Sequence, residues 1–80
     1  MPKPAQRLRI WENAFSAKAM LEEAVDLHRI AEEHELSGGT IMNVVRYASL
    51  KTLSRNEVTI ALDDLEEGIR REFLKEGRML

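Results

Sequence analysis

The sequence predicts an all-α fold, a small four-helix bundle with a short extended segment before its last helix. Three observations predict it. Apolar residues recur at helical spacing in separate stretches of the 80-residue chain. The composition, 44% hydrophobic and 32% charged with only 5% aromatic residues and four glycines, suits helices with charged outer faces. The β-branched trio Val58-Thr59-Ile60 is too short to found a sheet and reads as an extended lead-in to the last helix.

The first helix is expected from Pro4 to about Ala14, because a proline in the first turn gives up an N–H that would have had no intrahelical partner. Leu8, Trp11 and Phe15 form one apolar stripe and Ile10 and Ala14 a neighbouring one, so this helix has two uses for its apolar surface. Ser16 to Ala24 shows no sustained period and reads as a connecting loop, with Met20 and Leu21 as a short plug. Asp26 is placed to cap a second helix through its carboxylate, and Leu27, Ile30, Ala31 and His34 make the inward stripe. Ser37-Gly38-Gly39 ends that region and starts a third helix, since glycines ease a tight junction and leave amides accessible. The third helix carries Ile41, Val44, Val45, Ala48 and Thr52 at helical spacing, with Met42, Tyr47, Leu50 and Leu53 on adjoining faces. It is the most apolar and is expected to lie centrally. Beyond the polar Ser54-Arg55-Asn56-Glu57, a last helix starts near Leu62, with Asp63 and Asp64 where carboxylates suit the macrodipole. Leu65, Ile69 and Phe73 face inward, and Glu66 with Arg70 and Glu67 with Arg71 are spaced as i, i+4 ion pairs. Gly77 is expected to end the helix and Arg78-Met79-Leu80 to fray.

The 12 Lys and Arg and 14 Asp and Glu leave a formal net charge of -2, which argues against nucleic acid as a partner. Arg7, Arg9, Arg46, Arg55, Arg70, Arg71 and Arg78 are scattered among acids and read as a solvated surface. The chain has no cysteine, so disulfides and thiolate metal sites are excluded. No apolar stretch approaches the ~18 residues of a membrane span, and Met1-Pro2-Lys3-Pro4 lacks the apolar core of a signal peptide. A soluble, cytoplasmic protein with no membrane partner is expected.

Catalytic patterns are missing: there is no phosphate loop of the Gly-x-x-x-x-Gly-Lys-Ser/Thr type and no His-Glu-x-x-His. The isolated chain is therefore not expected to be an enzyme. Asp63 and Asp64 diverge by about 100° on a helix and cannot share a proton, so first-turn electrostatics explains them. Glu32, Glu33, His34 and Glu35 superficially suggest a metal cluster, but a lone imidazole on the apolar stripe reads as packed or dipole-stabilised, and His28 as a surface residue. Trp11 and Tyr47 could stack a base, yet aromatics within apolar stripes default to core. Ser37-Gly38-Gly39-Thr40 stands out, because a small-residue turn at a helix start exposes N–H groups under a positive dipole end. A tight helix-to-helix connection is the plainer reading of the same residues.

One combination is distinctive: an opening helix with Arg7-Leu8-Arg9-Ile10-Trp11, then Val25-Asp26-Leu27, Leu36-Ser37-Gly38-Gly39-Thr40-Ile41-Met42-Asn43, and Ile60-Ala61-Leu62-Asp63-Asp64-Leu65. In this order and spacing, from about Gln6 to Arg78, the chain resembles the C-terminal helical lid of AAA+ ATPases, closest to the core AAA group and bacterial AAA-family proteins. The resemblance implies residues 1–4 as a tail or cloning remnant, 5–77 as the lid and 78–80 as a C-terminal tail. It implies a lid that closes over ATP or ADP, with magnesium, bound to a large domain of the same protein, and that packs on neighbouring subunits of a ring, expected to be a hexamer. Gly38 and Gly39 match the pair whose backbone approaches the nucleotide, where a β-carbon could block it. Thr40 follows them, Ile10 matches an adenine-contacting apolar residue, and Asn43 a polar position one turn into the third helix that ties the turn together. Two positions depart from the pattern. Met42 stands where relatives with a phosphate-sensing arginine carry it, so either that sensor is dispensed with or Arg46 partly substitutes. Ala61 stands where Ser or Thr often caps the last helix, weakening its start by ~1 kcal/mol. The rival reading is an independent helical adaptor presenting a groove or amphipathic face to a protein partner.

Overall fold

Pro4 opens α1 (Pro4–Ala14) as expected, with the Lys3 amide donating to Gln6 Oε1 at 2.8 Å. The computed structural model describes residues 1–77, so the expected frayed tail Arg78-Met79-Leu80 lies outside the described residues. After α1 come β1 (Met20–Leu21), α2 (Leu27–Glu33), α3 (Gly38–Ser54), β2 (Thr59–Ile60) and α4 (Leu62–Lys75). Four helices are present at the expected positions, and the chain is mostly helical.

The two strands correct the loop expected over Ser16 to Ala24. Met20 pairs with Thr59 and Leu21 with Ile60 in a parallel ladder, so the β-branched trio does find a partner. The flanking Glu22 amide donates to Ile60 O at 2.9 Å. A two-residue strand carries no periodicity, and parallel pairing requires a long crossover between its members; here α2 and α3 supply it.

α3 lies centrally. Its Ile41, Val44, Val45 and Ala48 are buried against α1 on one side and α4 on the other, and Trp11, Leu36, Leu65 and Ile69 complete the core. At such sites each fully buried aliphatic side chain contributes about 1.5–3 kcal/mol. Gly68 allows α4 to approach α3 closely: an added β-carbon would stand 3.1 Å from Val44 Cγ1 and 3.3 Å from Tyr47 Cδ2. Trp11 is wholly buried, which agrees with its reading as core, and its indole N–H meets no acceptor among the described residues.

The helix ends follow local chemistry. Asp26 Oδ1 accepts from Arg29 N at 3.2 Å and Ser37 Oγ from Thr40 N at 3.2 Å, both as N-caps. Ala61 gives α4 no side-chain cap, and Glu22 Oε1 instead accepts from Leu62 N at 3.3 Å. Gly77 follows the C-cap with φ 74°, the left-handed geometry that suits glycine. Between α3 and β2 the left-handed residue is Asn56, φ 58°, whose amide donates to Leu53 O at 2.9 Å.

Several charges depart from their expected places. Arg7 is not a solvated cation: it is buried, and its guanidinium donates to Ala31 O and Pro2 O, each at 2.7 Å, fastening α1 to α2. Asp64 is more than a first-turn charge, being buried and held through both oxygens by Arg55 from the end of α3. Among the described residues no ion pair joins Glu66 to Arg70 or Glu67 to Arg71. Arg71 lies over the Tyr47 ring instead, 4.8 Å from its centroid, a cation–π contact between α4 and α3. No helix among the described residues is long and apolar enough to cross a membrane.

Candidate functional site

Ile10 and the Gly38-Gly39 pair meet at one edge of the bundle. Ile10 is partly buried against the core, and its Cδ1 lies 3.6 Å from where a β-carbon on Gly38 would stand. At Gly39 a β-carbon would meet nothing within 4 Å. Neither glycine has a positive φ, so neither backbone needs glycine. Both occupy the first turn of α3, where Ser37 Oγ serves the Thr40 amide and the Gly38 and Gly39 amides have no acceptor among the described residues.

Beside this edge runs an open groove of about 600 Å³, lined chiefly by Gln6, Arg9, Ile10, Asn13, Ala14 and Met42. Its floor is apolar, from Ile10, Ala14 and Met42. Its rim is polar, from Gln6, Arg9 and Asn13 along one line of α1. Sequence reasoning had Ile10 and Met42 but missed the rim. The available signal was the i+3 spacing of Asn13 from Ile10, which puts both on one helix face. Arg46, the candidate substitute for a cation at Met42, is exposed and does not line the groove.

Thr40 and Asn43 are turned to another task. Thr40 is buried; its hydroxyl accepts from Ser37 Oγ at 3.0 Å and lies 3.4 Å from Glu76 Oε1. Asn43 Nδ2 donates to Glu72 Oε1 at 3.1 Å, and Lys75 Nζ to Glu72 Oε2 at 2.7 Å. These contacts lash the start of α3 to the end of α4. The hydrogen bond from Lys75, with a further one from Asn43, holds the Glu72 carboxyl below its ordinary range against the opposing effect of burial. Glu76 also puts a carboxylate near the positive end of α3. That lowers the pull of this helix start on an anion.

The other candidates are structural. His34 closes α2 and packs on Phe73 with ring centroids 6.1 Å apart, and burial lowers its pKa against the pull of Glu33 and Glu66. It is the packed imidazole of the two expected readings, not the dipole-stabilised one. His28 is exposed with Nδ1 3.4 Å from Glu32. Among the described residues no group of three or more His, Asp or Glu is placed to hold a metal ion. Tyr47 is half-buried beneath Arg71, with its pKa raised by burial and by Glu67.

No protein-family model matches the chain, and no curated protein matches it.

Proposed function

We propose that the chain is the helical lid of an AAA+ ATPase. It closes over the base and ribose of ATP or ADP held by a large nucleotide-binding domain, and carries nucleotide state into domain rotation and to neighbours in a ring, expected to be a hexamer. The phosphate loop and the magnesium ligands would belong to the large domain, so this segment positions nucleotide without doing chemistry. A cytoplasmic setting goes with the reading.

The observation that carries it is Gly38-Gly39. Two glycines stand where neither backbone geometry nor internal packing asks for them, and the first of them, Gly38, lies beside Ile10, which also lines the groove. In the lid reading, the two missing β-carbons leave the first turn of α3 open to the approaching nucleotide. The test is Gly39→Leu in the full gene product. Nucleotide affinity is expected to fall at least about tenfold, a steric and desolvation loss of ~1.4 kcal/mol, with the thermal midpoint unchanged or raised. Unchanged affinity would sink the reading.

A second reading, the adaptor module, is favoured by exposed apolar residues at the opposite end of α3. Leu53 and Val58 are 64% and 66% exposed and line a smaller groove with Ala19 and Ile60, and Met20 and Leu50 are exposed nearby in the chain order of the same elements. A protein partner would suit them. In the lid reading that partner is a ring neighbour; in the adaptor reading Gly39→Leu leaves function intact.

A further inference from the structure

We propose that Arg7 makes residues 2–4 a stiff entry arm of fixed direction, so that a domain attached ahead of the bundle swings about a hinge upstream of Pro2. That this domain is a nucleotide-binding one rests on the lid reading. The stiffness is local. Pro2 and Pro4 each fix φ, and the residue before a proline is pushed to extended backbone. Lys3, between them, has φ -77° and ψ 162°, close to the polyproline II geometry of a semi-rigid spacer, and its amide is tied to Gln6 Oε1.

Stiffness alone sets no direction, and Arg7 supplies it. The buried guanidinium donates through Nε to Ala31 O and through Nη1 to Pro2 O, each at 2.7 Å. Ala31 lies in the last turn of α2, whose carbonyls have no intrahelical partner, so the cation sits where the negative end of that helix attracts it. Among the described residues no carboxylate pairs with Arg7. Its planar fork holds the two N–H directions at a set angle, and fixing one carbonyl therefore fixes the other. Pro2 is thereby referred to α2 as well as to α1, and part of the tail expected over residues 1–4 is built into the bundle. A bend of the chain at residues 2–4 would break these contacts, whereas one upstream of Pro2 breaks none of them.

The experiment measures the Pro2 Cα order parameter by NMR relaxation in the 80-residue chain, for the native protein, Arg7→Met and Arg7→Lys. Arg7→Met keeps an apolar stem without donors, and Arg7→Lys keeps the charge without the fork. The native value is expected near that of rigid backbone, about 0.85, and both variants should fall below about 0.6. Ile41 and Val44 methyl signals report whether each variant keeps its core. A native Pro2 already below about 0.6, or one that stays near 0.85 in a folded variant, overturns the role of Arg7. Should neither variant fold, the native protein decides: the Arg7 Nε–H must exchange slowly with solvent, and rapid exchange overturns the clamp. The hinge is placed in the full gene product, from the distance distribution between a nitroxide on Glu12→Cys, exposed on α1, and one on the preceding domain. Arg7→Lys should broaden it, and equal widths overturn a hinge ahead of Pro2. A mobile Pro2 leaves the lid reading standing, whereas a rigid Pro2 with unchanged nucleotide affinity in Gly39→Leu leaves the arm and sinks the lid.

Discussion

A β-carbon at Gly68 would press on Val44 Cγ1 at 3.1 Å, Tyr47 Cδ2 at 3.3 Å and Val44 O at 3.4 Å, whereas one at Gly39 would find open space. The first glycine is explained from inside the molecule, because it sets how closely α3 and α4 approach at Val44 and Tyr47. The second has no internal explanation. On the proposed lid reading, comparing the two separates a packing constraint from a functional one, because the same substitution should damage folding at one position and nucleotide binding at the other.

The largest expected effect tests the inner half of that comparison. Gly68→Leu must push α4 off α3, and overpacking of this kind costs about 3 kcal/mol, which lowers the thermal midpoint of a domain this size by roughly 15 °C. Gly39→Leu exchanges an exposed helical glycine for a good helix former and should change stability by less than about 1 kcal/mol, on the favourable side. Thermal unfolding of the two variants side by side checks both. Equal losses would mean that the α3 start is packed against something within the chain, and the distinction between the two glycines would collapse.

A smaller effect is expected from Arg55→Ala, which loosens the other end of the same seam. Asp64 is 6% exposed and Arg55 neutralises it from the turn after α3. Removing the guanidinium leaves a carboxylate that only the start of α4 still favours. Since Arg55 is itself 41% exposed, a measurable loss of stability is expected, below that of removing one partner of a fully buried pair. Denaturant unfolding measures it, and on the proposed lid reading nucleotide affinity should be untouched, because this end of α3 is remote from the glycine pair in the chain.

What could be read from the sequence was what is decided locally. Pro4, Asp26, Gly77 and the apolar stripe of α3 each act within one or two turns, and all four stand where expected. What could not be read depends on partners far along the chain. Arg7 is buried because Ala31 O lies 24 residues on, and Leu62 N is served by Glu22, 40 residues back. β1 was invisible because its only signature is β2 beside it. At the candidate site, Ile10 and Gly38 were legible and are in fact neighbours. Thr40 and Asn43 were legible as polar positions, but their acceptors are Glu76, at the C-cap of α4, and Glu72, on α4 itself.

Glu72 joins the two regions, since it sits four residues past Gly68 and holds Asn43, four residues past Gly39. Its carboxyl is held below the ordinary range, first by Lys75 and then by Asn43, so the folded state binds this proton less readily than the unfolded chain. The stabilisation is therefore complete above the unfolded value of about 4.3 and is lost as pH falls through the lower folded value. Glu72→Gln should cost about 1 kcal/mol or less near pH 7, because Lys75 is mostly exposed and the amide can still accept from Asn43. The cost should fade as pH falls below the unfolded value and through the lower folded one, where both proteins become neutral at this position. Unfolding curves of both proteins between pH 7 and 3 give the difference directly. A cost that persists at low pH would assign Glu72 a shape role in the seam. A cost that fades with acid, accompanied by amide shifts at Gly38 and Gly39, would show that the glycine edge takes its position from charge on α4 and that loosening one end of α3 is felt at the open groove.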